Sequence, residues 1–202
     1  MKLYQSPASP FVRKVLVVLH ETGQIADVEL VPVKVTATAP SDQLIPKNPL
    51  SKIPALERED GPAIYDSRVI CAYLDDRSGG RLYHTGAGRW DQLTLEATAD
   101  GLTEAAVLMV YEGRIRPDDM QYAPWVEAQW GKVDRALTAL EDRWMPHLHG
   151  ALDIGQIAVG CALGYLDFRH ADRNWREGRP ALDAWYETFA ARASMVATQP
   201  QG

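Results

Sequence analysis

The apolar positions of the first 78 residues change period several times, whereas those after residue 88 keep a helical one. Lys2-Leu3-Tyr4-Gln5 reads as a short strand and Ser6-Pro7-Ala8-Ser9-Pro10 as a loop. Val12, Val15, Leu16 and Leu19 stand at i, i+3, i+4 and i+7, which predicts a helix over 10–22. Ser9 precedes it as N-cap, Pro10 takes its first position and Gly23 ends it. Residues 28–33 read as a second strand, put at an edge by Pro32. Residues 36–48 are polar and irregular, with room for one helical turn. Residues 53–58 and 63–65 make a hairpin across the turn signal Glu59-Asp60-Gly61-Pro62. Asp66 or Ser67 then caps a helix with the stripe Val69, Ile70, Tyr73 and Leu74, which stops near Ser78-Gly79-Gly80.

Residues 79–88 are glycine-rich and poor in apolar side chains, as a linker is. A long helix follows to about Arg114, with Gly101 inside it. Over 123–145, Val126, Trp130, Val133, Leu137, Leu140 and Trp144 alternate four and three apart, a bundle-type seam that Pro146 is expected to break. Asp153-Ile154-Gly155-Gln156 has the form of a capping box with Asp in the Ser/Thr place, Gln156 reaching back. It opens a helix carrying Ile154, Ile157, Ala158, Cys161 and Tyr165 on one face. Pro180 opens a last helix with Leu182, Trp185, Tyr186 and Phe189, and the tail from Ala197 is expected to fray. The boundaries are thus 1–78 for a mixed domain, 79–88 for a linker and 89–202 for an all-helical domain.

Composition narrows the class. The chain has 202 residues, 46% hydrophobic and 24% charged, an ordinary globular balance. A net charge of −6 argues against a nucleic acid or an anionic membrane as partner, though not against a local basic pocket. The two cysteines, Cys71 and Cys161, lie inside apolar helical patterns and form no CxxC or Cys/His spacing, so no zinc or dithiol centre is expected. The start lacks an apolar leader and no run approaches 18 apolar residues, which gives the expectation of a reduced, cytoplasmic protein. His147 and His149 lack a carboxylate partner in sequence, and His84 and His170 read as surface residues. The six tryptophans read as core or interface.

Ile53-Pro54 is the pivot of the first half. Proline belongs at a strand start or an edge, and on numbers alone a trans bond leads. A cis bond would turn the chain sharply and present the N–H and C=O of Ile53 to an extended peptide. The surroundings bear on that choice. Ser6-Pro7-Ala8-Ser9-Pro10-Phe11-Val12-Arg13-Lys14-Val15, Asn48-Pro49-Leu50-Ser51-Lys52-Ile53-Pro54-Ala55-Leu56, Tyr65-Asp66-Ser67-Arg68-Val69-Ile70 and the capped helix from Asp153 to Tyr165 occur in this order. In order, spacing and total length they resemble the glutathione transferase superfamily over nearly the whole chain. The fold class this implies is a thioredoxin-like βαβ-ββα domain followed by an all-α bundle.

The resemblance also implies a chemistry: attack of the glutathione thiolate on a small hydrophobic electrophile, with glutathione as co-substrate, no metal and a homodimer. A free thiol with pKa near 8.5 is only about 3% ionised at pH 7. Lowering that pKa by about 2 units takes roughly 2.7 kcal/mol, the size of one good hydrogen bond to a charged group. Ser9, at a helix start, is the candidate for that bond, with Ser6 as runner-up; a plain N-cap is the competing reading of Ser9. Serine there cannot form a mixed disulfide, which favours addition or glutathione-assisted isomerisation over disulfide reduction. Ile53, held by Pro54, is expected to pair with the cysteinyl backbone of glutathione. Lys52 is assigned to the glycyl carboxylate, Asp66 to the γ-glutamyl ammonium and Ser67 to its carboxylate. The second substrate is expected between the domains, against the long helix, with Met109, Tyr111 and Arg114 as lining residues. An isomerase, peroxidase or dehalogenase on the same scaffold, or a non-catalytic binding protein, remain open.

Overall fold

The computed structural model describes all 202 residues. They form two compact units, one of Met1–Gly86 with Ala193–Gly202 and one of Ala87–Arg192.

The first unit is a four-stranded sheet with helices. Its elements are β1 (Lys2–Gln5), α1 (Pro10–Glu21), β2 (Glu29–Pro32), β3 (Ala55–Arg58), β4 (Gly61–Ile64), α2 (Ser67–Arg77) and the late α8 (Ala193–Ala197). The strand order is β2-β1-β3-β4, with β1/β2 parallel and the other two pairs antiparallel. This is the thioredoxin-like arrangement. Both prolines of the sheet, Pro32 and Pro62, sit on edge strands, where a missing N–H breaks no ladder. The expected turn at 59–62 is shorter: Arg58 pairs with Gly61, so only Glu59 and Asp60 turn, and the register slips between Leu56 and Arg58.

Helix α1 buries Val12, Val15, Val17, Val18 and Leu19, each worth about 1.5–3 kcal/mol when fully withdrawn from water. Its C-cap is Thr22, and Gly23 follows at φ +70°, a value that glycine adopts without a Cβ penalty. Gln24 then ties this end to α2 through a bond from Nε2 to the Leu74 carbonyl at 2.8 Å. The core stripe of α2 differs from expectation: Ile70, Cys71 and Leu74 are buried while Val69 is 49% exposed. The helix starts at Ser67 with Asp66 as cap, which rotates Val69 outward.

Residues 81–83, inside the expected 79–88 linker, are tied back to α2. The buried Asp75 carboxylate accepts from three backbone N–H groups, those of Arg81 and Leu82 on Oδ1 at 2.9 and 2.8 Å and of Tyr83 on Oδ2 at 2.9 Å. Gly79 and Gly80, both at positive φ, make the turn that brings those groups to it. The C-terminal residues also depart from the expected 89–202 domain. Ala193–Gly202 join the first unit because Ser194 donates to Glu21 Oε1 at 2.5 Å, Arg13 Nη2 donates to the Met195 carbonyl at 3.2 Å, and the Gln201 N–H donates to the Pro7 carbonyl at 3.3 Å.

The second unit is all helix: α3 (Arg89–Ile115), α4 (Ala123–Ala139), α5 (Met145–Leu148), α6 (Ile154–Arg169) and α7 (Pro180–Ala190). Helix α3 packs on α6 and α4. Every residue of α6 from Ile154 to Leu166 is buried, which marks it as the unit's central helix. Gly155 permits the closest approach: a Cβ there would lie 2.9 Å from Leu95 Cδ2. The regular α-helix ends at Ala139, earlier than the break expected at Pro146. A π turn over Leu140–Trp144 precedes it, so the proline falls in the first turn of a fresh helix, where its missing N–H is harmless.

Asp153 caps α6 as expected. Asp153 Oδ1 accepts from the Gln156 N–H at 3.0 Å. The Gln156 Nε2 donates to the carbonyls of His147, Gly150 and Ala151 at 3.1, 3.3 and 2.9 Å. Those carbonyls at the end of α5 need donors, and an amide nitrogen supplies them. His147 does have a carboxylate partner, since its Nε2 meets Asp153 Oδ2 at 2.7 Å. His170 is a second correction: it is only 7% exposed. Of the tryptophans, Trp175 and Trp185 are buried whereas Trp90 is 69% exposed. No helix is long and apolar enough to cross a membrane.

Candidate functional site

The register of the sheet gathers three stretches at one end of the first unit. Tyr4 pairs with Ala55, and Leu56 with Ile64, both antiparallel. The exit of β1, the entry of β3 and the exit of β4 therefore coincide. Residues 6–9, Ile53-Pro54 and Asp66-Ser67 leave the sheet there, together with the N-termini of α1 and α2. Two helix N-termini at one place favour bound anionic groups.

The Ile53–Pro54 bond is cis. The Ile53 side chain packs against the buried cluster of Tyr4, Val33, Leu44 and Ala55, which fixes the residue. No backbone hydrogen bond within the chain uses its N–H or C=O. An anchored residue with a spare donor and acceptor, continuing a strand, is what an added extended peptide pairs with.

The loop before it is braced by Asn48, a buried residue that the sequence reading quoted without giving it a role. Its Nδ2 donates to the Lys52 carbonyl at 2.8 Å, its Oδ1 accepts from the Leu50 N–H at 3.0 Å, and its own carbonyl accepts from the Ser51 N–H at 2.8 Å. Ser51, at φ +50°, accepts from the Ser41 N–H at 2.9 Å. Asn-Pro, a turn initiator, is the sequence signal that marks this brace. Lys47 is engaged at 2.8 Å by Glu57, which also accepts from the Tyr4 hydroxyl at 2.8 Å. The Lys47 ammonium, then the Tyr4 hydroxyl, hold the Glu57 carboxyl below its usual range. Lys52 stays exposed.

At α1, Ser9 Oγ accepts from the Val12 N–H at 3.3 Å, and the Ser9 N–H donates to the Ser6 carbonyl at 3.1 Å. Both serines thus share one turn, half-buried. A hydroxyl used as an acceptor keeps its proton to donate, so the cap and a contact to a thiolate are compatible in one side chain. At α2, Asp66 Oδ1 accepts from the Arg68 N–H at 2.9 Å, and Ser67 occupies the first helical position, buried. The Tyr65–Asp66 bond is also cis.

The second unit has a cleft of its own, about 310 Å³, lined by Met109, Val110, Gly113 and Arg114 of α3, Val126 of α4, and the segment from Arg169 to Arg173. Met109 and Arg114 face this cleft, whereas Tyr111 is 39% exposed. Arg169 and His170 were missed, because a helix end carries no periodic signal. His170 Nε2 lies 3.0 Å from the Ala106 carbonyl, and burial holds the imidazole pKa below its usual value.

Known proteins match the chain in sequence and fold. Residues 3–82 match the glutathione S-transferase N-terminal domain and residues 123–188 the glutathione S-transferase C-terminal domain. A glutathione transferase family member from Pseudomonas fluorescens Pf-5, solved with bound glutathione, is 46% identical, with a TM-score of 0.97 over 100% of this chain and 99% of that one. A second structure from that organism carries S-(propanoic acid)-glutathione and is 45% identical, with a TM-score of 0.92 over 100% of both chains. An uncharacterized GST-like protein of Escherichia coli K12, YibF, is 30% identical over 99% of this chain and 98% of its own length. With both of its domains matched in order, and its full length paired with such relatives, the chain belongs to the glutathione S-transferase family.

Proposed function

We propose that the protein is a glutathione transferase that adds the glutathione thiolate to a small electrophilic substrate. The observation that carries this reading is the anchored Ile53, its backbone N–H and C=O unused, at the sheet end where α1 and α2 begin. Ile53 pairs with the cysteinyl residue of glutathione as a short added strand. Asp66 takes the γ-glutamyl ammonium, with one carboxylate oxygen capping α2 and the other left for the ligand. Ser67 and the N-terminus of α2 receive the γ-glutamyl carboxylate. Lys52 meets the glycyl carboxylate from solvent, where such a pair is worth at most about 1 kcal/mol.

Glutathione held in this way brings its sulfur toward the start of α1. Ser9 donates its hydroxyl proton to the sulfur while its oxygen accepts from Val12. That hydrogen bond, about 1.5–3 kcal/mol to a charged partner, favours thiolate over thiol. The helix N-terminus contributes a further 0.3–1 kcal/mol or so. Two supports come from relatives: one is solved with glutathione and another with a glutathione bearing a substituent on sulfur. On this reading the enzyme is a cytoplasmic homodimer that serves detoxification.

The test is conjugation of glutathione to a generic aryl halide by the wild type and Ser9→Ala, with glutathione affinity measured on both. The reading expects retained binding and a rate at least about ten-fold lower in the variant, equivalent to about 1.4 kcal/mol. Binding without turnover in the wild type moves the activity to another glutathione-dependent reaction. No binding at all removes the enzyme reading.

A further inference from the structure

The last residues of the chain lie along the helix that Ser9 caps. Ala193–Gly202 belong to the first unit, and α8 packs on α1. Their bonds fall in order. Ser194 Oγ donates to Glu21, the last residue of α1. The Met195 carbonyl accepts from Arg13, four residues after Ser9. The Gln201 N–H donates to the Pro7 carbonyl, ahead of the helix. The segment therefore runs back along α1, from its end to the turn before its start.

That turn has few other ties. Pro7 has no N–H to give. The Ser9 N–H stays within the turn on the Ser6 carbonyl, and the Ser9 oxygen accepts from Val12 in the helix that follows. The 3.3 Å bond from Gln201 to Pro7 is the one hydrogen bond that joins residues 6–9 to a part of the chain distant in sequence.

Arg13 anchors the middle of the segment. It is 6% exposed and forms no ion pair; its Nη2 donates to the Met195 carbonyl at 3.2 Å, and its Nε has no partner. The last carbonyls of a five-residue helix such as α8 lack donors within the helix. The guanidinium supplies a charged donor to one, and Thr198 Oγ1 supplies a donor to another, that of Ser194, at 2.8 Å. A buried cation left without its bond is far costlier than a buried polar group, so this tie is hard to break. Helical side chains lean toward the helix N-terminus, which brings the Arg13 anchor back over the first turn of α1.

We infer that residues 193–201 form a strap that sets the 6–9 turn, with Arg13 and the Gln201 N–H as its positioning groups. The inference rests on the transferase reading above and adds a determinant of the same site. The Ser9 hydroxyl meets the glutathione sulfur at hydrogen-bond distance only while the turn is held, and a misplacement of about 1 Å costs a large factor in rate. Ile53, Asp66 and Ser67 place the glutathione backbone, and the strap makes no hydrogen bond to them. Thiolate stabilisation and glutathione affinity therefore separate.

The test uses Gln201→Pro, which removes that N–H, a chain ended after Thr198, and Arg13→Lys beside Arg13→Gln. For each, the pKa of the bound glutathione thiol is read from thiolate absorbance. Affinity is taken by calorimetry and stability from a urea unfolding curve. Gln201→Pro and the shortened chain are expected to bind glutathione within about two-fold of the wild type. Their thiolate-to-thiol ratio falls about three-fold, a pKa rise of about half a unit, inside the range of one neutral hydrogen bond. Gln201→Ala keeps the N–H and lies closer to the wild type than Gln201→Pro. Arg13→Lys keeps a charged donor and retains more thiolate than Arg13→Gln; the reverse order removes Arg13 from the strap. The Gln201 variants and the shortened chain decide the matter by themselves where an Arg13 variant does not fold. A bound thiol pKa unchanged in Gln201→Pro and in the shortened chain, whatever their stability, overturns the strap and leaves the transferase reading intact. So does a loss of affinity with no change in that pKa. A wild-type bound thiol that titrates near 8.5 overturns both.

Discussion

The hydroxyl of Ser9 accepts the Val12 N–H at 3.3 Å, so the side chain proposed to hold the thiolate also caps α1. The two roles separate by substitution. Ser9→Ala loses the cap, costing about 0.5–2 kcal/mol of stability, whereas Ser9→Gly loses only a few tenths. Both lose the hydroxyl. Equal falls in conjugation rate, with unequal shifts in a urea unfolding curve, are the expected result; a rate that follows stability instead would return Ser9 to a purely structural role.

Asp75 holds the residues after α2 through three backbone N–H groups. Asp75→Ala strands those donors, at about 1–3 kcal/mol for each one left buried and unpaired. A loss of about 3 kcal/mol or more is expected by chemical denaturation. Asp75→Asn should fall between, because an amide keeps one acceptor oxygen but turns a donor toward the remaining N–H.

His170 gives the helical unit a pH dependence of defined sign. Burial lowers its folded pKa below the ordinary value of about 6.5. Above pH 6.5 both states are neutral there and no penalty exists. As pH falls below 6.5 the unfolded chain takes up a proton that the folded chain refuses, so stability drops by at most about 1.4 kcal/mol per unit until the folded pKa is reached. His170→Gln, whose amide can still donate to the Ala106 carbonyl, should flatten that part of the stability curve between pH 6.5 and 5.

Gly155 sits where α6 meets Leu95 of α3. Gly155→Ala gains helix propensity of about 1 kcal/mol, but its Cβ meets the buried Leu95 Cδ2 at 2.9 Å. Overpacking of this kind costs about 1–3 kcal/mol, and the net change is expected to be destabilising. Pairing it with Leu95→Ala should cost less than the sum of the two.

The elements of the first unit were legible because each carries its own local signal. Ser9-Pro10 opens α1, Gly23 closes it, and Pro32 marks an edge. The site stretches were legible through resemblance, since periodicity alone left Pro54 open between cis and trans. What stayed hidden depends on partners distant in sequence. Asp75 looks like any acid in a last helical turn until Gly79 and Gly80 fold residues 81–83 onto it. The tail from Ala193 follows the helical domain in sequence, yet Ser194 bonds Glu21, 173 positions away. His170 reads as polar and therefore exposed, and only the Ala106 carbonyl explains its burial. Pro146 reads as a break because the π turn that resets the helix has no composition of its own.

The account turns on the ionisation of the glutathione sulfur beside Ser9. The direct measurement is a titration of the thiolate absorbance of bound glutathione, in the wild type and in Ser9→Gly. A bound pKa near 6.5, about 2 units below the free thiol, that returns most of the way toward 8.5 in the variant is the predicted result. A bound thiol that titrates near 8.5 in the wild type, or one lowered equally with and without the Ser9 hydroxyl, would contradict it.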